Sequence, residues 1–191
     1  MQIASFFSAL ALGSTALLAA TPALAQQKLV PAQSDVQFTA RQMGVPLQGH
    51  FKKFDAQVNF DPAKLATSKI AFTVDTGSAT LGSRETDAEL PKPAWFNVAK
   101  FPQAQFASSA IKALGAGKYE VAGTLTIKGN AQNVVVPVTL AQSGATTTAT
   151  GTLPLKRLAF KIGENEWADT SMVADDVQVK FKLALTGVGK L

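Results

Sequence analysis

The sequence predicts an all-β fold, a barrel or a sandwich of antiparallel strands. Apolar and polar residues alternate with a period of two in about eight short runs, the pattern of strands with one buried and one wet face. Turn residues separate these runs. Only residues 83–100 could carry a helix, and Pro91 and Pro93 would keep any helix there short.

The last run shows the alternation most clearly. Its apolar residues share one parity, with mostly polar or charged residues between them: Val177, Val179, Phe181, Leu183 and Leu185. The same period is present within residues 36–40, 54–60, 70–74, 119–127 and 134–140. Segments 115–118 and 128–130 have the composition of hairpin turns. A β-bulge is predicted at Lys52-Lys53, where it would shift the parity of the residues that follow.

The first residues of the chain resemble an export signal. Residues 1–27 carry no charged side chain, and Ala23 and Ala25 form an A-x-A cleavage signature before Gln26. A membrane anchor is the alternative, but alanine, serine, glycine and threonine fill much of the apolar stretch. We therefore expect a cleaved signal peptide at residues 1–25, a single domain at residues 26–191, and a periplasmic protein.

Composition argues against several function classes. The chain has no cysteine and a single histidine, His50, which excludes disulfides, thiolate metal sites, cysteine nucleophiles and zinc sites built from several histidines. The net charge of +5 is spread along the sequence, without the basic stripe interleaved with aromatics that nucleic-acid binding favours. We expect no catalytic residue, no metal, no nucleic-acid partner and no cofactor, apart from a bound isoprenoid or prenyl quinone as ligand.

Collinear motifs give the sequence a family resemblance. They include a G-x-F-x-x-F pattern at 49–54, an FP-x-x-x-F-x-S pattern at 101–108 and a G-x-L-T-I-x-G hairpin at 123–129. The other matching segments are 34–38, 60–62, 84–90, 95–98, 162–171 and 177–181. Together they span about residues 28–187. The chain resembles the YceI-like family, exported lipocalin-like proteins described as polyisoprenoid-binding.

The resemblance implies a more definite fold and a ligand. The implied fold is an eight-stranded antiparallel lipocalin-like barrel with a short helical or loop segment near 84–100. Its apolar pocket would hold a prenyl or other long-chain amphiphile. Some members occur near membrane cytochromes of the b561 type, which suggests a quinone connection. The family offers no agreed catalytic set to transfer.

Aromatic residues make up most of the predicted ligand site. They could line an apolar cavity, because an eight-stranded barrel is just wide enough to hold one small ligand. The alternative is that they fill an ordinary core. Arg41 and Arg84 are candidates for a head-group contact, since a guanidinium forms paired hydrogen bonds, although exposed surface arginines are the alternative. The predicted ligand-binding residues are Phe38, Arg41, Met43, Phe51, Phe54, Phe60, Phe72, Arg84, Trp95, Phe96, Phe106, Phe160 and Trp167.

The sequence favours a carrier over two other functions. The favoured hypothesis is an exported, non-enzymatic protein that holds a long-chain isoprenoid or similar lipid. The alternatives are a partner that delivers quinone to a membrane b561-type oxidoreductase, and an enzyme that acts on a small apolar substrate in the same pocket. The enzyme would require His50 and a carboxylate together inside the cavity. Transient contact with a membrane or membrane cytochrome, and a homodimer, remain open.

Overall fold

The computed structural model describes residues 26–191, so the predicted signal peptide lies outside the described residues. Eleven strands make up most of this part of the chain: β1 (Lys28–Leu29), β2 (Asp35–Gln42), β3 (Val45–Phe51), β4 (Phe54–Asn59), β5 (Lys69–Asp75), β6 (Ala79–Thr80), β7 (Gln103–Gly115), β8 (Lys118–Ile127), β9 (Asn130–Ser143), β10 (Thr146–Lys156) and β11 (Asp176–Thr186). The α-helix α1 spans Arg84–Glu89. Short 3₁₀ turns lie at Pro31–Gln33, Leu65–Thr67, Thr76–Ser78, Arg157–Phe160 and Asn165–Ala168. No helix in this part of the chain is long and apolar enough to cross a membrane.

The strands form one antiparallel sheet that curls into a barrel-like shape. Their order is β4-β5-β7-β8-β9-β10-β11-β2-β3-β6, and β1 pairs with β11. The two long strands at the ends of this order, β3 and β4, are consecutive in sequence and separated only by Lys52 and Lys53. Counted as one broken run, they bring the number of long strands to eight. The predicted fold and the short helix near 84–100 are confirmed. At Lys52 and Lys53 the strand is broken instead of bulged, and the inward parity shifts across the break, from Phe51 to Ala56.

Because the chain breaks between β3 and β4, one continuous run of residues pairs with strands at both ends of the sheet. Its first half pairs with β2, where His50 lies opposite Gln37, and its second half pairs with β5, where Phe54 lies opposite Val74. The far end of β4 is bridged by the Gln27 side chain, which donates to the Phe60 carbonyl at 2.7 Å and accepts from the Phe60 N–H at 2.9 Å. The sheet thus closes around an interior without a continuous ladder.

The period of two places one set of side chains inside the curled sheet. All five apolar residues of alternate parity in β11 face the interior, as do Val36, Phe38 and Ala40 of β2. The hairpin between β8 and β9 turns at Lys128 and Gly129, whose φ angles of 50° and 74° suit a tight two-residue turn. The predicted parity and this predicted turn are confirmed.

Glycines in the sheet make room for phenylalanine rings on neighbouring strands. Phe38 lies opposite Gly49, and a Cβ at Gly49 would stand 2.2 Å from the tip of that ring. Phe181 lies opposite Gly151, where a Cβ would stand 2.4 Å from the ring tip. Each ring therefore lies over a glycine and against the wall, instead of projecting into the interior.

Candidate functional site

The interior of the curled sheet is a cavity. It contains about 270 Å³ of space that the centres of water-sized molecules can reach, and its accessible wall is entirely apolar. Every long strand contributes side chains to the wall, and so do Leu90, Trp95 and Phe96 from the segment after β6. Small-molecule sites normally combine an apolar wall with a few polar anchors. Because this cavity exposes no polar anchor to its interior, it is suited to a hydrocarbon.

Aromatic rings gather on one side of the cavity. The ring centroid of Phe51 lies 5.2 Å from that of Phe38 and 5.9 Å from that of Phe96. On another part of the wall, Phe60 meets Tyr119 edge to face at 5.3 Å. These separations are typical of favourable aromatic pairs, so the rings stabilise each other while leaving the interior open.

One end of the cavity is covered by the segment between β10 and β11, which is held by Arg157. Its side chain is only 3 % exposed, and its guanidinium donates five hydrogen bonds of 2.6–3.0 Å. The accepting carbonyls belong to Ile162, Gly163, Trp167, Val173 and Ala174. The donors of this buried cation are therefore all used to fix the covering segment.

The charge of Arg157 is held without a direct carboxylate partner among residues 26–191. Burial lowers the pKa of the guanidinium, and the nearby charge of Asp175 acts in the opposite direction. The Asp175 carboxylate itself accepts the Leu158 N–H at 2.9 Å. Arg157 belongs to the cavity wall, but its polar atoms point into the covering segment.

A second cation anchors the same segment from the β8–β9 turn. The Lys128 Nζ donates to the Lys161 carbonyl and to the Glu164 carboxylate, both at 2.7 Å. The Lys128 hydrogen bond is the main cause that lowers the pKa of Glu164. Gly163 and Glu164 also donate their N–H groups to the Ala94 carbonyl, at 2.8 and 3.0 Å. The covering segment is thus tied to two other parts of the chain.

Two tryptophans meet where these segments join. The ring centroids of Trp95 and Trp167 are 5.5 Å apart. The Trp95 indole nitrogen is buried and has no hydrogen-bond partner among the described residues. Trp95 lines the cavity while Trp167 packs behind it, so both report on the same corner of the protein.

Comparison with known proteins identifies the family. The model of the YceI-like domain matches residues 27–185. The chain belongs to the YceI-like family. A UPF0312 protein of Pseudomonas savastanoi pv. phaseolicola is 34% identical over 141 residues, covering 72% of this chain and 73% of the relative. A UPF0312 protein of Vibrio cholerae is 27% identical over 157 residues, covering 77% of this chain and 83% of the relative.

Solved structures share this YceI-like fold. BcnA of Burkholderia cenocepacia is 51% identical, with a TM-score of 0.79 that covers 82% of this chain and 98% of that one. A polyisoprenoid binding domain from Saccharophagus degradans, implicated in plant cell wall breakdown, is 14% identical, with a TM-score of 0.68 that covers 84% and 98% of the two chains. At that identity the second likeness concerns the fold alone.

The YceI-like cavity brings together eight of the thirteen residues predicted to bind ligand. They are Phe38, Phe51, Phe60, Phe72, Trp95, Phe96, Phe106 and Phe160. Their contact with a ligand stays a prediction, but their common position on one apolar wall is a finding.

The other five predicted residues lie outside the cavity wall. Arg41 and Met43 are exposed at the β2–β3 hairpin, and Arg84 is exposed at the start of α1. Phe54 packs against Phe72 with ring centroids 5.9 Å apart, and Trp167 packs against Trp95. Both arginine side chains face solvent, and neither is among the residues that line the cavity.

His50 lies on the outer surface. Its Nδ1 is 3.4 Å from the Asp35 carboxylate, and the two side chains are 51% and 44% exposed. Since neither residue lines the cavity, the arrangement that the enzyme hypothesis requires is not formed. Among the described residues there is also no cluster of ligating side chains that could hold a metal ion.

Sequence reasoning missed Arg157, which stands in the basic pair Lys156-Arg157 and looks like surface charge. Lys156 does face solvent, where it pairs with Asp176 at 2.7 Å. Gly163 is the trace of this difference in the sequence, because a Cβ there would stand 2.3 Å from the Arg157 guanidinium. The trace cannot be read in advance, since the contact is recognisable only once the fold is known.

Proposed function

We propose that this protein is an exported, non-enzymatic carrier that holds a long-chain isoprenoid or similar amphiphile in its cavity. The observation that carries the proposal is the wholly apolar wall around about 270 Å³ of space. The predicted signal peptide supports export to the periplasm. The likeness to the polyisoprenoid binding domain of Saccharophagus degradans supports the choice of ligand class.

The size of the cavity supports a chain of moderate length. A single water needs about 10–15 Å³ of such space, so the cavity holds on the order of twenty water-sized groups. Each buried methylene contributes about 0.8 kcal/mol, and affinity would therefore grow with chain length until the cavity is full. A ligand with more carbons would leave part of its chain outside.

Identification of the bound lipid tests the proposal directly. The protein, gently purified from its native host, is extracted with organic solvent, and the extract is analysed by mass spectrometry. We expect an isoprenoid or similar long-chain amphiphile. Recovery of no amphiphile, together with no binding of an added prenyl quinone or prenyl alcohol, would overturn the carrier proposal.

A pair of adjacent substitutions tests the location of the ligand. Phe72 faces the cavity from β5, whereas its neighbour Ala71 is exposed on the outer face. Phe72→Asp should abolish lipid uptake, because a carboxylate in the apolar cavity would lose its hydration. Ala71→Asp adds the same charge to the outside and should leave uptake unchanged. Unchanged uptake in a folded Phe72→Asp variant would show that Phe72 does not line the ligand site.

The intact mass of the protein recovered from the periplasm tests whether the chain is exported and cleaved. Cleavage after Ala25 would leave Gln26 as the first residue. The intact mass of the protein from a periplasmic extract should match residues 26–191. A full-length mass, or recovery only from the cytoplasm, would contradict the export part of the proposal.

A further inference from the structure

The outer surface carries a cleft where the sheet is interrupted. It is lined by the β3–β4 break and by the segment before β2: Pro31, Ser34, Asp35, His50, Phe51, Lys52, Lys53 and Phe54. No ladder joins β4 to β2 among the described residues, so the cleft lies along the seam of the curled sheet. It is the break in the strand that places two consecutive lysines here.

Phe51 connects this cleft to the cavity. Phe51 is a lining residue of both, and its ring packs against Phe38 and Phe96 inside. At this point one residue separates the apolar interior from a polar surface site. A chain held in the cavity therefore comes within one residue of the cleft.

The lysine backbones are fixed while their ammonium groups are unpaired. The N–H groups of Lys52 and Lys53 donate to the carbonyl and the hydroxyl of Ser78, at 3.2 and 3.0 Å. Within residues 26–191, neither ammonium group makes an ion pair or hydrogen bond. Two cations therefore stand on an ordered backbone without a partner.

Two acidic groups close to the lysines, Asp35 and Asp87, have hydrogen-bond partners of their own. Asp35 accepts from Gln37 at 2.5 Å and lies 3.4 Å from the His50 ring. Asp87 accepts from the Thr80 hydroxyl and the Leu81 N–H, at 2.5 and 2.6 Å. These hydrogen bonds lower the pKa of Asp87, and the charge of Lys52 contributes to the same shift. Asp35 keeps its negative charge at the cleft and opposes an incoming anion there, but neither carboxylate forms an ion pair with Lys52 or Lys53, whose ammonium groups are available to bind one.

We propose that the cleft at Lys52 and Lys53 binds the anionic head group, a phosphate or diphosphate ester, of the amphiphile whose chain fills the cavity. This inference rests on the proposed function. The accessible wall of the cavity is apolar, and neither Arg41 nor Arg84 is among its lining residues. The cleft combines contact with the cavity through Phe51 with two unpaired cations. Ammonium groups bind phosphate as point charges, without a demand for planar geometry.

Two ligands of equal chain length test the head-group site. Binding of geranylgeraniol and of geranylgeranyl phosphate is measured by the intrinsic fluorescence of Trp95 and Trp167. We expect the phosphate to bind about fivefold more tightly, an advantage that increasing salt should reduce. Lys52→Gln with Lys53→Gln should remove this advantage and leave the affinity for the alcohol unchanged. The unchanged alcohol affinity also shows that the variant is folded.

A matched control removes two lysines elsewhere. Lys112 and Lys118 are exposed at the β7–β8 hairpin and line neither the cavity nor the cleft. Lys112→Gln with Lys118→Gln changes the net charge by the same amount and should keep the preference for the phosphate. Equal loss of the preference in both double variants would assign it to net charge and overturn the site.

The remaining outcomes separate this inference from the carrier proposal. Equal affinity of the unsubstituted protein for the alcohol and the phosphate would overturn the head-group site while supporting the carrier. Binding of neither ligand would overturn both. Inorganic pyrophosphate that binds as tightly as the prenyl phosphate would show a site for a free anion and refute a head-group site. Weak pyrophosphate binding beside tight prenyl phosphate binding supports the proposal.

Discussion

Gly49→Ala tests whether glycines in the sheet keep the cavity open. The backbone of Gly49 is extended, so alanine can adopt its conformation without strain, and the three atoms nearest to an added Cβ all belong to the Phe38 ring. The nearest ring atom stands 2.2 Å from that Cβ, whereas ordinary contact begins at 3.4 Å. The ring must move by more than an ångström, and the open direction is toward the cavity.

Two opposing effects, overpacking against the ring and the loss of a strand glycine, set the expected change in stability. Overpacking costs about 1–3 kcal/mol, and replacing a strand glycine returns about 0.5–1 kcal/mol, so we expect a net loss of about 1–2 kcal/mol. For a chain of this size the Tm should fall by about 2–8 °C. If the displaced ring excludes one or two methylenes, lipid affinity should weaken by about 4- to 15-fold.

The assay combines thermal unfolding with a chain-length series. Tm is measured on lipid-free protein, and Kd is measured for prenyl alcohols of increasing length. Gly189→Ala is the matched control, because a Cβ there meets no atom within 4 Å. Gly49→Ala combined with Phe38→Leu should recover much of the lost affinity, since a smaller side chain can share the space.

Two results would refute the reasoning. Equal Tm and Kd values for Gly49→Ala and Gly189→Ala would show that the Phe38 ring is not confined by the glycine. A lower Tm with an unchanged chain-length series would show that the ring moves without entering the cavity.

Three further predictions follow from the polar groups and the cavity. Arg157→Met should lower the free energy of unfolding by about 3–5 kcal/mol in urea, because five carbonyls lose their donor; a loss below about 1 kcal/mol would contradict this. The pKa of Glu164 is lowered in the folded state, so its stabilisation is complete above its ordinary value of 4.5 and is lost as the pH falls through the lowered value. Glu164→Gln should therefore flatten the acid limb of the pH–stability curve, whereas an unchanged limb would count against the Lys128 contact. A lipid at about 100 times its Kd should add about 2.7 kcal/mol to stability, which differential scanning calorimetry would measure as a higher Tm; no rise would argue against binding to the folded state.

The sequence was sufficient for the fold because the fold depends on local periodicity. A strand with one buried face needs apolar residues at every second position, and β11 meets that requirement over its whole length. The two lysines that interrupt the parity mark the place where the strand breaks. The order of the strands in the sheet could not be read from this pattern, since it depends on which strand edges meet. The barrel arrangement was predicted instead from the resemblance to a known family.

The site was only partly predictable. Phe54 is the predicted strand aromatic of inward parity that does not line the cavity. It lies opposite the wall residue Val74, so the parity holds, but at the start of β4 it lines the outer cleft instead. Arg41 and Arg84 are candidates because a guanidinium pairs with an anion and because charges near the barrel rim are few, with Arg41 just after the first predicted strand. Neither argument specifies which surface a side chain reaches. Arg157 was missed for the opposite reason. Its role depends on carbonyls of the irregular segment that follows it, at residues 162–174, and no periodicity or motif records them.

The apolarity of the cavity depends on where polar groups point as well as on composition. Arg157 and Thr147 both belong to the wall and carry polar atoms. Those of Arg157 are turned into the covering segment, and the Thr147 hydroxyl accepts from Gln142 at 3.2 Å. The accessible surface of the wall is apolar, and the buried Trp95 indole N–H has no partner among the described residues. The cavity would therefore discriminate chiefly by hydrocarbon length and shape. The proposed recognition of a head group takes place outside, at the seam of Lys52 and Lys53, where Phe51 is a lining residue of both the cleft and the cavity.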